Sequence, residues 1–169
     1  MGPRTSKALD PESALEARRR ALGSANPRCT SPGCREADPR ALTGAHPTIL
    51  CAEHRAQLDG RRVVEEHHVA GRRNSDATVW LPANRHARLT FLQQSGWRSG
   101  LLRNPDDDFL LRLEAAVRGS RETIAVVLDG VLAPTEAEIA SLHDFLVATL
   151  GPDWNEIFRR WAGERADAR

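Results

Sequence analysis

The chain has 169 residues, 28% of them charged, a formal net charge of +1 and three cysteines. That length suits one ordinary domain, or one small domain with an appendage. No apolar run approaches the roughly 20 residues that cross a bilayer, and the N-terminus lacks an apolar leader core, so a soluble, cytoplasmic protein with no membrane partner is expected. An odd cysteine count excludes a closed disulfide framework and leaves metal ligation, catalysis or plain burial.

The small net charge hides a separation along the chain. Through Arg103 there are 17 basic and 10 acidic residues, and after it 7 and 13, so +7 stands against −6. A basic front half suits a polyanion such as nucleic acid, and two solvated faces suit the same count. A single lysine among 24 basic residues fits a GC-rich bacterial or phage genome.

In chain order, residues 1–9 read as a disordered arm, and Asp10 to Leu22 as a short helix with Pro11 in its first turn and Gly23 as its stop. Together they form an N-terminal segment over 1–25. The Arg18-Arg19-Arg20 run inside it is either a solvated face or a phosphate-contacting arm.

Residues 26–62 show little strand or helix period, yet they hold all three cysteines. Cys29 and Cys34 bracket Thr-Ser-Pro-Gly, a tight turn that brings two side chains round to one point. Cys51 and His54 form a second pair, at the start of a short helix running to about Leu58. Three thiolates and one imidazole in two pairs match a closed tetrahedral structural Zn²⁺ site; buried, inert cysteines beside a surface histidine are the alternative. The stretch also resembles small Cys-Cys-Cys-His zinc modules that accompany some phage and bacterial nuclease domains.

Residues 63–103 follow a different pattern. Arg62 to His68 reads as a strand, Gly71 to Asp76 as a loop, Thr78 to Leu81 as a second strand, and Pro82 or Asn84 onward as a helix through Leu92. Neighbours on a strand point to opposite faces, so the adjacent His67 and His68 are expected to do different work. Arg72 and Arg73 in the loop, with Arg85 and Arg88 on the helix, are candidate contacts to DNA phosphates, because guanidinium pairs bidentately with phosphate.

Glu-Glu-His-His-Val-Ala-Gly-Arg, followed by Thr-Val-Trp-Leu-Pro-Ala-Asn-Arg-His-Ala-Arg-Leu, resembles the HNH nucleases over about residues 63–92. The resemblance implies a ββα-metal fold in which His68 is the general base and His67 and His86 hold a divalent cation, Mg²⁺ or Mn²⁺. It departs from the family at Ala77, where a bracing Asn is common nine residues before the last histidine, and at Pro82 and Arg85, where many relatives carry zinc-knuckle cysteines.

Residues 104–169 read as an acidic helical domain. Asn104-Pro105 before three aspartates looks like a helix start, with Gly119 ending that helix at about Arg118. A second apolar segment, Ile124 to Leu132, follows; within it Ile124 to Leu128 is apolar all round and reads as buried. Thr135 with Glu138, and Asp153 with Glu156, make capping-box patterns, and Gly151-Pro152 ends a helix between them. His143 reads as a surface or helix-flank residue.

The expected fold class is therefore α+β: a zinc-stabilised loop region, a small ββα-metal nuclease module, and a C-terminal α-helical bundle open to a protein partner or a homodimer. The expected function is a metal-dependent HNH endonuclease acting on DNA, in phage DNA processing or anti-phage defence. The alternative is a catalytically inactive zinc-binding adaptor built on the same scaffold.

Overall fold

The structure, a computed structural model, describes residues 10–156; the arm expected over 1–9 lies outside the described residues. The chain is mixed α+β, with two β-hairpins, several helices and a long C-terminal helix. The described residues divide into two compact units between Val127 and Leu128, and the boundaries read from sequence at 26, 63 and 104 all lie within the first. No helix among the described residues is long and apolar enough to cross a membrane.

Helix α1 spans Pro11–Leu22. The Asp10 side chain accepts from the Ser13 N–H at its start, and Gly23 at φ 68° closes it, a left-handed conformation that glycine adopts without steric cost. After a short 3-10 turn at Pro39–Ala41, β1 (Leu42–Ala45) and β2 (Thr48–Cys51) pair antiparallel, with Leu42 opposite Cys51 and Ala45 opposite Thr48. The hairpin lies inside the segment that shows little period in the sequence, since four-residue strands are too short to display one. It buries Leu42, Ile49 and Cys51 against Leu22 of α1 and Cys29. Helix α2, Ala52–Leu58, follows Cys51 directly.

Strands β3 (Val64–His68) and β4 (Thr78–Pro82) form the second hairpin, and helix α3 (Ala83–Gly96) follows with no intervening loop. The register sets Glu65 opposite Leu81 and His67 opposite Val79. Alternation therefore puts Glu65, His67, Val79 and Leu81 on one face and Glu66, His68, Thr78 and Trp80 on the other. Leu81 packs with Leu89 of α3, which makes the first face the inner one.

The rear of the chain departs from the helical bundle expected from sequence. Asn104 does not start a helix: it ends α4 (Ser99–Arg103) in a left-handed conformation and is buried. The next helix starts five residues later at Phe109, capped by the Asp108 carboxylate, which accepts from the N–H groups of Leu110 and Leu111. That helix, α5, runs unbroken over Phe109–Leu150, so neither Gly119 nor the Thr135 to Glu138 pattern divides it. Gly119 serves a different purpose. It is the point at which α5 lies flush against the backbone of Val69 and Ala70, where a Cβ would not fit.

Nor is Ile124 to Leu128 buried as a block. Within this run, expected to be buried, Val126 is inside, packed with Leu81 and Leu89, while Ile124 and Leu128 are exposed. In the second unit α5 ends at Leu150, Gly151 takes φ 89°, and a new helical turn begins at Trp154 after Asp153. His143 is exposed, with its ring edge-on to Trp154 at 5.8 Å.

Candidate functional site

Among the described residues of the first unit, one cluster of four side chains could hold a metal ion, and a pair of histidines meets elsewhere. The cluster is built by the turn after Cys29 and by the junction of β2 and α2. Gly33, at φ 77°, lets the turn bring Cys34 back beside Cys29, with the Cys34 N–H donating to the Ser31 carbonyl at 3.1 Å. Cys51 ends β2 and caps α2, which sets His54 one turn along on the same side. The four donor atoms of Cys29, Cys34, Cys51 and His54 all lie within 4.8 Å of one another.

The separations fit an ion. Bonds of about 2.3 Å to sulfur and about 2.0 Å to nitrogen give tetrahedral edges of roughly 3.5–3.8 Å. The observed edges are 4.0 Å between the sulfurs of Cys34 and Cys51, 3.6 Å from Cys29 Sγ to His54 Nδ1, and 3.1 Å from Cys51 Sγ to the same nitrogen. All three cysteines are free thiols. Backbone N–H groups also point at the sulfurs, from Cys51 to Cys29 Sγ at 3.3 Å and from His54 to Cys51 Sγ at 3.5 Å. Such donors stabilise thiolate and orient it. Burial opposes ionisation of Cys29, but hydrogen bonds from the Cys51 and Ser31 backbone and from the Cys34 and Cys51 thiols outweigh it and hold its thiol below the ordinary value. Burial, with the neighbouring Cys29 and Cys51 sulfurs, pushes the Cys34 thiol up to about 11. Three sulfurs this close repel as thiolates, and a cation at their centre removes the conflict. Cys29, Cys34, Cys51 and His54 could hold a zinc ion.

The histidine pair is carried by β3 and α3. His67 is 2% exposed on the inner face of β3, and its ring centroid is 5.3 Å from that of His86 on the first turns of α3, nearly perpendicular to it. A metal-bound imidazole has its centroid about 3.2 Å from the ion, so two rings on one ion lie roughly 4.6–5.4 Å apart. The Glu65 carboxylate accepts from His86 Nδ1 at 2.7 Å, which commits that nitrogen to the proton and leaves Nε2 with a lone pair. Burial, and then the nearby His86 and His68, depress the His67 pKa to about 4, so this ring is neutral at pH 7.

His68 lies on the opposite face of the strand, at its last position. Its Nδ1 is buried without a hydrogen-bond partner. Gln93 of α3, which the sequence reading did not single out, closes this end of the strand. Its amide nitrogen lies 3.3 Å from His67 Nε2, 3.2 Å from the His68 carbonyl and 3.1 Å from the Val69 carbonyl. Two turns beyond His86 on the same helix face is the only sequence signal that marks it.

The bracing position was also missed. Ala77 sits exposed in the loop, but Asn74 is buried and its amide nitrogen donates to the carbonyls of Ala70 at 3.0 Å and Leu101 at 2.8 Å, while Asn104 donates to its oxygen at 3.0 Å. The loop between β3 and β4 is thus tied to α4 by an asparagine three residues from the expected place.

The four candidate phosphate contacts separate. Arg72 and Arg73 are exposed, Arg85 is half-buried, and none of the three has an ion pair among the described residues. Arg88 instead donates to both Glu36 oxygens at 2.8 Å and lies 3.1 Å from Asp38, so it ties α3 to the segment following Cys34 and is not available to DNA.

Comparison with protein-family models, with curated proteins and with solved structures returned no match.

Proposed function

We propose that this chain is a metal-dependent endonuclease of the HNH type that hydrolyses DNA phosphodiester bonds. The observation that carries the reading is the meeting of His67 and His86 at 5.3 Å on a strand–strand–helix unit, with Glu65 orienting His86. His67 and His86 would hold the divalent cation, with water and phosphate oxygens in the remaining positions. Two imidazole nitrogens suit Mn²⁺ or a later first-row ion better than Mg²⁺, which prefers oxygen. Such an ion, when bound, supplies Lewis-acid stabilisation of the charge that builds on phosphate.

The chain's own groups divide the remaining work. His68, beside the turn that ends β3, takes the proton of the attacking water through Nε2. Arg72, Arg73 and Arg85 hold the backbone phosphates on either side of the scissile bond, without base preference. Glu65 keeps His86 in the ligating tautomer. The Cys29, Cys34, Cys51, His54 site binds structural Zn²⁺ and, through Glu36, Asp38 and Arg88, fixes the position of α3 and hence of His86.

The adaptor reading draws on one observation, the exposed apolar side chains of Phe109, Leu110, Leu113 and Val117 on α5, which suit a protein partner or a second copy. Plasmid cleavage separates the two. Supercoiled plasmid is incubated with the protein and Mn²⁺ or Mg²⁺, and His68→Ala should slow nicking by about 10²–10⁴-fold, the usual contribution of a general base. Wild type that nicks no faster than His68→Ala with any divalent ion would leave the adaptor reading standing.

A further inference from the structure

The Arg18-Arg19-Arg20 run and the segment entering the zinc cluster have no part in the hairpin site. Arg18 turns inward, donating to the carbonyls of Pro39 and Leu42, and so fastens α1 to the chain beneath it. Arg19 and Arg20 turn outward. With Arg28 they line a groove of about 710 Å³ between the C-terminal end of α1 and residues 23–28. The one carboxylate in its lining is that of Glu16, 3.6 Å from Arg19. Arg20 and Arg28 are exposed and have no ion pair or side-chain hydrogen bond among the described residues. Ser24, Ala25 and Asn26 also line the groove, and their backbone N–H groups are likewise unpaired among the described residues.

Three guanidinium groups against one carboxylate, beside three unpaired amides, make a surface for an anion. Guanidinium forks match phosphate oxygens bidentately, and backbone amides add donors of fixed direction. The groove is open and draws its guanidinium groups from two segments, α1 and Arg28, which suits contact with more than one phosphate. We propose that it binds the phosphodiester backbone of duplex DNA, as a contact that shares no residue with the histidine hairpin and holds whether or not the hairpin cleaves.

The test is fluorescence anisotropy of a short labelled DNA duplex over a KCl series, with no added divalent ion and the zinc content of each variant checked. Each phosphate neutralised contributes about 0.9 to the slope of log affinity against log salt, so Arg20→Ala/Arg28→Ala should lower the slope by about two and weaken binding about tenfold or more. Arg121→Ala, an exposed arginine on α5, should leave the slope unchanged. An unchanged slope in the double variant overturns the proposal, as does an equal loss in Arg121→Ala, which would mean that only net charge matters. Full displacement of the duplex by equimolar inorganic phosphate would assign the groove to a free anion and overturn it too. Because binding is read without cleavage, a failure here is distinct from a failure of the His68→Ala experiment.

Discussion

A Cβ on Gly119 would stand 1.9 Å from the carbonyl oxygen of Val69 and 2.7 Å from its carbonyl carbon. Helix α5 therefore touches the chain one residue past His68, backbone to backbone. The contact explains a glycine in mid-helix, where it otherwise costs roughly 0.5–1 kcal/mol relative to alanine. The Gln93 amide nitrogen holds the same Val69 carbonyl at 3.1 Å.

The sign of one substitution tests this contact. In an ordinary exposed helix Gly119→Ala would stabilise, whereas here it should destabilise by about 1–3 kcal/mol, the usual range for overpacking. Thermal unfolding distinguishes the two, and a raised midpoint would mean that α5 does not lie against Val69.

Zinc content is the second expectation. Purified protein should carry about one Zn²⁺ per chain, measured by elemental analysis, and Cys51→Ser should lose it. Cys51 is the sharpest choice because it is fully buried, ends β2, caps α2 and receives the His54 N–H, so the ligand and the local fold fail together. Retention of stoichiometric zinc by Cys51→Ser would remove that residue from the ligand set.

Glu65→Gln tests the orientation of His86. The amide can still occupy the site, but it no longer holds the Nδ1 proton as a carboxylate does at 2.7 Å. Loss of such a partner typically costs 10–100-fold in metal affinity. The Mn²⁺ concentration needed for half-maximal cleavage should rise by about that factor while the zinc content stays the same. An unchanged Mn²⁺ requirement would mean that His86 is not a ligand.

His67 gives a pH dependence with a definite sign. Its pKa in the folded chain, about 4, lies below the ordinary value of 6.5. Above 6.5 the ring is neutral in both states and contributes no pH dependence. As pH falls from 6.5 to 4 the unfolded chain takes up a proton that the folded chain refuses, so stability drops across that window and no further below it. In metal-free protein the His67 ring signals should titrate near pH 4 in an NMR series. A midpoint near 6.5 would show a hydrated ring.

Parts of this molecule are legible from sequence because the signals are local. Asp10, Pro11 and Gly23 bound α1 by capping and backbone preference alone, and Cys51 with His54 fits a helix start because their spacing is one turn. The β3–β4 hairpin and α3 follow from short runs of period two and then of period 3.6. What was misread depends on contacts distant in sequence. Asn104 looks like a cap because the next residue is proline, yet its amide is drawn inward to Asn74 thirty residues away. Arg88 looks like a phosphate ligand until Glu36 and Asp38 are brought beside it.

The sequence by itself determined which residue types could hold metal and roughly where the local elements begin and end, since ligand spacing and capping act over a few residues. Only the tertiary structure decided that Asn74 braces the loop in place of Ala77, that Gln93 closes the strand end, and that Gly119 joins two backbones instead of ending a helix. Those choices are made by close packing and by the need of buried carbonyls and amides for partners, and neither leaves a mark at fixed spacing along the chain.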